Sequence, residues 1–239
     1  MFYRFEVKDR TGRLVLTNPP VNAFAPEQYL ELAQKITEFG ASGDIDVMVI
    51  HGEGKGYCAG VDTKRLNSGE ASISEMNRGA FNTFEAIHKA EIPVISAVHG
   101  YALGAGLAMA GASDIIVAAQ GAKFGLPEIK VGLLGGASHA LRILPLAKVR
   151  AMYYTGEPID ADEMYRLGAV ECVVPEGKMV ETAMDLASTI AAKDSRGLRF
   201  AKEAMNGIEP VDLEKNYRFE QGFTFEITQL NAVQDKTAS

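Results

Sequence analysis

Hydrophobic and polar positions recur along the chain with the two periods that distinguish strands from helices. Residues 3–7 alternate apolar and polar side chains, and the turn that follows leads back into an apolar run, which predicts a β-hairpin over residues 2–17. Elsewhere, apolar residues at three- and four-residue spacing predict helices, and short unbroken apolar runs predict buried strands. Helices are predicted over residues 26–39, 73–90, 138–155, 160–167, 179–193, 198–206 and 213–230, and strands over residues 47–50, 115–118 and 169–174.

Residues 92–113 carry no charged side chain, and we expect the fold to be organised around them. The stretch opens as a buried strand, breaks at Gly100, Gly104 and Gly106, and continues as a helix of small residues. Its length matches a membrane span, but its high content of Gly, Ala and Ser favours a buried strand–turn–helix. A helix that follows a glycine turn presents free backbone N–H groups, so this junction is predicted to hold a negative charge.

Composition indicates a globular protein of one large domain, with or without a small appendage. Lys and Arg number 24 against 31 Asp and Glu, and this acidic balance argues against nucleic acid as the main partner. Cys58 and Cys172 lie far apart, as expected of a reduced cytoplasmic protein without a disulfide framework. The N-terminal residues carry charges where an export signal would be apolar, so neither export nor a membrane partner is expected.

Several familiar motifs of enzyme chemistry do not fit the sequence. Gly104 and Gly106 begin a dinucleotide-binding pattern, but the position of its third glycine is Met109. The residues around Ser138 do not form the G-x-S-x-G nucleophile elbow of hydrolases. The four histidines show no metal-ligand spacing, so no metal site is expected.

Two glycine turns after buried strands, at residues 58–62 and 100–106, remain as candidates, together with Glu128 in a predicted loop over residues 124–137. Backbone N–H groups from two loops can hold one developing negative oxygen, and each such donor stabilises a transition state by roughly 3–4 kcal/mol. The neighbours Phe124 and Leu126 are apolar, so the Glu128 carboxyl is expected to have a raised pKa and to transfer protons near neutral pH. The alternative is an ordinary exposed loop glutamate.

Three ordered motifs, at residues 57–62, 93–106 and 124–128, resemble those of the crotonase superfamily, the enoyl-CoA hydratase/isomerase fold. The resemblance covers nearly the whole chain. It implies an α/β fold, a spiral of ββα turns over residues 1–194, followed by a C-terminal helical region over residues 195–239 for oligomerisation and pocket closure. It also implies assembly as a homotrimer or a dimer of trimers.

The resemblance further implies an acyl-CoA site. The backbone N–H groups of Val61 and Ala105 would hold the thioester oxygen as an enolate forms, with Glu128 as the acid/base. Coenzyme A would be part of the substrate, so no separate cofactor is expected. The residues implied in binding it are Ala59, Gly60, Asp62, Lys64 and Gly104. For Lys64, a solvated surface lysine is an equal alternative.

One position departs from the family pattern. Hydratases of the family carry a second glutamate in the helix after the second glycine turn, and that position is Ala108 in this chain. The missing acid argues against concerted addition of water to an enoyl-CoA. A single acid still supports double-bond isomerisation, or a hydrolytic carbon–carbon cleavage that proceeds through an enolate.

A narrower resemblance favours the cleavage reaction. It points to the ring-opening acyl-CoA hydrolases of bacterial steroid catabolism, which act on a bicyclic β-keto acyl-CoA. Arg78 and His139 would then be extra polar groups for a ketone or carboxylate of the substrate. Alternatively, Arg78 is an ion-pair partner on a helix surface and His139 packs near a helix start. The matching segments are residues 77–79, 124–128, 137–139 and 217–226.

Two further predictions concern the C-terminal helix and whether the protein is an enzyme. Phe219, Phe223 and Phe225 form an aromatic row that is typical of a core or a subunit interface. The resemblance implies a further role for this row in closing the acyl pocket. Because one acid is missing, a non-catalytic acyl-CoA-binding scaffold is a rival to the enzyme. An RNA-binding relative of the fold is disfavoured by the acidic balance.

Overall fold

The computed structural model describes the backbone of residues 1–237 and the side chains of residues 1–230. Its strands are β1 (Tyr3–Lys8), β2 (Thr11–Leu16), β3 (Ala23–Phe24), β4 (Val47–Gly52), β5 (Gly60–Val61), β6 (Val94–Val98), β7 (Tyr101–Leu103), β8 (Ile115–Ala119), β9 (Lys123–Gly125), β10 (Ile159–Asp160) and β11 (Cys172–Val174). Its α-helices are α1 (Pro26–Ala41), α2 (Thr63–Asn67), α3 (Ile73–His88), α4 (Ala105–Ala112), α5 (Ala137–Ile143), α6 (Leu146–Thr155), α7 (Ala161–Arg166), α8 (Met179–Ala191), α9 (Ser195–Ile208) and α10 (Leu213–Thr237). Short 3₁₀ helices span Pro127–Val131 and Glu176–Lys178.

A six-stranded sheet in the order β1-β2-β4-β6-β8-β11 forms the centre of the fold. The predicted hairpin pairs β1 with β2 in antiparallel register, and the remaining neighbours are parallel. All residues of β4 and β6 are buried, as expected of parallel strands covered on both faces. On one face, Ala183 and Ala187 of α8 pack against β-strand residues such as Val47 and Ile95. The other face packs toward α1, α3 and α4.

A second layer of short strands gives the fold its repeat. After each of β4, β6 and β8 the chain adds a short strand, β5, β7 or β9, before it enters a helix. β3 pairs in parallel with β5 and β7 pairs in parallel with β9, while β10 pairs antiparallel with β9. This succession is the predicted spiral of ββα turns.

Two sequence predictions between residues 101 and 155 are wrong in detail. The predicted loop over residues 124–137 contains β9 and the 3₁₀ helix Pro127–Val131. The helix predicted over residues 138–155 is two helices, because Pro145 cannot donate a backbone hydrogen bond and disfavours a helical residue before it. In addition, a short strand, β7, separates the glycine turn at Gly100 from the helix that begins at Ala105.

The C-terminal helices pack on the core through polar as well as apolar contacts. Lys202 of α9 is buried, and its Nζ atom donates to both carboxylate oxygens of Asp114 at 2.7 and 2.8 Å. The aromatic row is not part of this chain's core, because the side chains of Phe219, Phe223 and Phe225 are all exposed. A role in a subunit interface stays a prediction. Within the described residues, none of the helices combines the length and the apolar character needed to cross a membrane.

Candidate active site

Three parallel short strands end side by side, and the candidate site lies where they end. β7 pairs with β9 so that Leu103 is opposite Gly125, and Cys58, just before β5, forms a bridge with Ala102 of β7. The chain therefore leaves β5, β7 and β9 at the same edge of this layer. Parallel pairing thus brings together the two glycine turns and the loop that carries Glu128, the three segments that are candidates in the sequence.

The turn between β7 and α4 exposes the start of a helix. Gly104 is the N-cap of α4 and has a φ of 56°, a left-handed conformation that favours glycine. Its N–H donates to the carbonyl of Gly125 at 2.9 Å, and its carbonyl accepts the first helical bond from Ala108. The N–H of Ala105, at the first helical position, has no partner within the helix because no earlier turn exists.

The first residue of β5 contacts this helix start directly. Gly60 has a φ of 94°, and a Cβ atom placed on it would lie 3.2 Å from the nitrogen of Ala105. The N–H of Asp62 donates to Phe24 of β3 at 3.0 Å, so the N–H of the preceding residue, Val61, is directed away from β3. Val61 and Ala105 line the same cavity.

Glu128 lies over the α4 N-terminus. A Cβ atom added to Gly104 would lie only 2.5 Å from Oε1 of Glu128, and Oε2 is buried without a hydrogen-bond partner among the described residues. Burial, with a smaller contribution from the charge of Glu220, raises the pKa of this carboxyl to about 8. A carboxyl group with such a pKa exchanges protons near neutral pH, which agrees with the role inferred from its apolar neighbours.

The cavity beside Glu128 has mostly apolar walls. Its volume is about 40 Å³, and a neighbouring depression of about 250 Å³ shares Ile73 and Leu133 with it. Pockets for drug-sized ligands measure roughly 300–1,000 Å³, so an acyl group must widen the cavity into this depression. A wider depression of about 570 Å³ lies between α1 and α3, away from the candidate residues. The cavity-lining residues are Val61, Ile73, Met76, Asn77, Ala80, Phe84, Ala105, Ala108, Glu128, Leu133, Leu134, Gly135, Gly136, Tyr217 and Thr224.

Two predicted polar groups lie outside this cavity. Arg78 is exposed on α3. His139 is buried behind the cavity wall, where its ring packs edge-on against Phe84 and Tyr217. Burial, with the nearby charges of other basic groups, lowers the pKa of His139 to about 3, so the ring is neutral. The structure therefore places Arg78 on the helix surface, without an ion-pair partner among the described residues, and His139 packed at the start of α5.

Of the residues expected to bind coenzyme A, Ala59, Gly60, Asp62 and Lys64 lie in or next to β5, and Gly104 is the N-cap of α4. Asp62 caps α2 by accepting a hydrogen bond from the N–H of Lys64 at 3.1 Å, and the Lys64 side chain is exposed. Ala59 is half-buried. Cys58 is fully buried, and burial raises the pKa of its thiol to about 12, which is the behaviour of a packed residue and not of a nucleophile.

A second buried carboxyl near Glu128 had no predicted role. Glu220 of α10 accepts hydrogen bonds from the N–H groups of Ala137 and Ser138, at 3.0 and 3.5 Å. It therefore caps α5 immediately after the cavity-lining Gly136. Burial raises the pKa of Glu220. Residues 217–226 carry part of the narrower resemblance, but no local pattern singles out one of the glutamates in this segment.

Replacing Glu220 with Gln is expected to move the pH–rate profile. The change removes a negative charge near Glu128 and keeps the side-chain shape, so the pKa of Glu128 should fall and the limb that reports its ionisation should shift by about 0.5–1 unit to lower pH. The measurement is kcat/KM as a function of pH. Glu226→Gln, at an exposed position of the same helix, is the control, and an unmoved profile would contradict the coupling.

Comparison with known proteins gives the family. The profile described as enoyl-CoA hydratase/isomerase matches residues 8–237. The chain belongs to this family, the crotonase superfamily. A curated (7aS)-7a-methyl-1,5-dioxo-2,3,5,6,7,7a-hexahydro-1H-indene-carboxyl-CoA hydrolase from Rhodococcus jostii is 43% identical over 211 residues, which is 87% of this chain and 82% of that protein. The hydrolase of the same name from Mycobacterium tuberculosis is 41% identical over 87% of this chain and 85% of its own.

Solved crotonase structures confirm the fold class. An enoyl-CoA hydratase/isomerase from Xanthobacter autotrophicus Py2 superposes with a TM-score of 0.88 over 95% of this chain and 87% of that chain, at 23% identity. At this identity the likeness concerns the fold alone. With the matched family and its named hydrolases, it establishes an enzyme of the crotonase superfamily rather than a scaffold.

Proposed function

We propose that this crotonase-family enzyme hydrolyses a carbon–carbon bond in the ring of a cyclic β-keto acyl-CoA, with Glu128 as its acid/base. The observation that carries the proposal is the single unpaired carboxyl at the start of α4: Oε2 of Glu128 is buried, whereas Ala108 occupies the cavity wall where family hydratases have a second acid. The named activity of the two hydrolases above 40% identity supports the same reaction.

In the proposed reaction the Glu128 carboxyl transfers protons and backbone N–H groups bind the enolate. Glu128, ionised, takes a proton from water as the water oxygen bonds to the ring ketone carbon. The bond from that carbon to the α-carbon then breaks, and its electron pair forms a thioester enolate. The N–H groups of Val61 and Ala105 hold the enolate oxygen. Glu128 returns the proton to the α-carbon, which gives a carboxylic acid and a saturated thioester from one substrate and one water.

The positions of the two amides support this assignment. The nitrogen of Ala105 begins α4, where the helix dipole favours negative charge. Gly60 approaches that nitrogen without a side chain between them, and Val61 follows Gly60 into the same cavity. Ala59, Asp62 and Lys64 would contact coenzyme A outside it. Cytoplasmic location and assembly as a trimer or a dimer of trimers are further parts of the proposal.

A substrate panel tests the proposal. The enzyme is incubated in oxygen-18 water with a cyclic β-keto acyl-CoA, a 2-enoyl-CoA and a 3-enoyl-CoA, and the products are identified by mass spectrometry. We expect one labelled oxygen in a new carboxylate from the cyclic substrate and at least 100-fold slower turnover of the enoyl thioesters. Double-bond isomerisation is the second candidate, because it also needs only one acid. Turnover confined to an enoyl-CoA would reject ring cleavage.

A further inference from the structure

We infer that Asn77 forms a subsite that donates a hydrogen bond to a ketone oxygen of the acyl group, distinct from the thioester oxygen. The enzyme would then select CoA thioesters whose acyl group carries an oxo substituent over those with a plain hydrocarbon ring. The inference rests on the proposed function, because it assumes that an acyl-CoA occupies this cavity. The inference gives Asn77 the substrate-recognition role that the sequence predicted for its neighbour, Arg78.

An unpaired donor at the cavity wall carries the inference. Two of the described residues that line the cavity have a buried side-chain polar atom without a hydrogen-bond partner: Oε2 of Glu128 and Nδ2 of Asn77. Buried polar groups are nearly always paired in folded proteins, so an unpaired one in a cavity is best explained by a ligand that completes it. For Glu128 that partner is the water of the proposed reaction, and Asn77 requires an acceptor.

The helix places Asn77 and Arg78 in different surroundings. Successive residues of an α-helix are rotated by about 100°, so the two side chains leave α3 in different directions. Met76, Ala80 and Phe84 lie on the same side as Asn77 and line the cavity with it, whereas Arg78 is exposed. The wall around Asn77 is therefore apolar, and a single oxygen on an otherwise hydrocarbon group fits it.

Asn77 is also held in place by the C-terminal helix. Its main-chain carbonyl accepts a hydrogen bond from Nε2 of Gln221 at 3.0 Å, and Gln221 is buried. One turn further along α10, Thr224 donates to the carbonyl of Leu134 at 2.7 Å on the opposite side of the cavity. These contacts fix the backbone that carries the Asn77 amide, which limits the ordering needed when a ligand binds.

The chemistry of the donor selects the ligand. A carboxamide nitrogen donates to an oxygen acceptor, and a ketone of a β-keto acyl group provides one. A ring without this oxygen would leave the buried N–H unpaired. A site built to hydrogen-bond one group discriminates strongly against an analogue that lacks it. We expect the dissociation constant of a ligand with the ketone to be about 10–100-fold lower than that of the same ligand without it.

The test compares two ligands that differ by one ketone. Titration calorimetry measures 2-oxocyclohexanecarboxyl-CoA and cyclohexanecarboxyl-CoA on the Glu128→Gln enzyme, which should not turn over the oxo ligand during the measurement. Adding Asn77→Leu should weaken binding of the oxo ligand about 10–100-fold and binding of the hydrocarbon ligand less than about threefold. Asn77→Asp replaces the donor by an acceptor at constant volume and should give the same loss if the Leu variant does not fold.

A control variant on the same helix shows whether the effect is specific to Asn77. Asn82→Leu changes an asparagine of the same helix that borders the groove toward α1, and it should leave both affinities unchanged. Equal weakening of both ligands by the Asn77 variants, or an oxo preference that survives them, would overturn the subsite. A ligand preference without ring cleavage in the oxygen-18 assay would instead reject the proposed function and leave the subsite standing.

Discussion

Glu128→Gln is expected to lower turnover by about 10²–10⁴-fold, because the amide keeps the shape of the carboxyl but cannot transfer a proton. Binding should be almost unaffected, since the thioester oxygen is assigned to backbone N–H groups. Steady-state kinetics gives the loss in kcat, and calorimetry with an unreactive CoA thioester should give a dissociation constant within about threefold of that of the parent enzyme. Glu203→Gln, at an exposed position of α9, is the control. Unchanged kcat would exclude the proposed role.

The same variant should be more stable than the parent enzyme in alkaline solution. Burial raises the pKa of Glu128 from 4.5 to about 8, so between these values the unfolded chain loses a proton that the folded chain retains. The free energy of unfolding is unaffected below pH 4.5 and falls as pH rises through this window. Above pH 8 the full penalty applies, on the order of 5 kcal/mol. The glutamine cannot ionise and avoids this penalty. Urea unfolding at pH 5 and pH 9 should show the difference between the two proteins widening at high pH.

Burial of the Glu128 carboxyl therefore favours the proposed activity and lowers the stability of the fold. A buried, unpaired glutamate costs folding free energy at working pH, and the same burial supplies a pKa near neutrality. Glu220, which also is buried, adds to both effects through its charge. The site is a place where the fold retains an unfavourable group because the proposed proton transfer requires it.

Local periodicity predicted most of the fold because most elements are long enough to show it. The stripe Met76, Ala80, Phe84 and Ile87 is buried as the helical spacing required. β7 is only three residues long and owes its conformation to pairing with β9, a contact that no local pattern specifies. For the aromatic row of α10 the sequence left core and subunit interface open, since helical spacing identifies a shared face but not what covers it, and the exposed side chains exclude the core.

The candidate site was predictable where its chemistry depends on neighbours in sequence. The glycine turns were singled out because each follows a buried strand, and Glu128 because of its apolar neighbours and the motif resemblance; the parallel pairing that brings them together is seen only in the folded chain. The contact of Glu220 with Ala137 joins residues 83 positions apart, so only the folded chain reveals it. Asn77 was overlooked in favour of its charged neighbour, and the direction of a single side chain on α3 decides between them.

Gly104→Ala is expected to lower turnover by about 100-fold or more and to destabilise the fold by about 2 kcal/mol. Alanine at a φ of 56° is strained, and its Cβ atom would lie 2.5 Å from Oε1 of Glu128, so the carboxyl must move away from the start of α4. Kinetics and urea unfolding measure the two effects. Gly168→Ala is the matched control, because Gly168 has a φ of 78° with open space around it and should show the strain without the loss of activity.

A double variant separates a local collision from general damage. If Gly104→Ala acts by displacing the Glu128 carboxyl, it has little left to remove once that carboxyl is an amide, so the double variant Gly104→Ala/Glu128→Gln should turn over about as slowly as Glu128→Gln alone. Two independent losses would instead multiply. A multiplicative result would mean that Gly104 contributes through the nitrogen of Ala105 as well, because displacement of the α4 start would then weaken enolate binding separately from proton transfer.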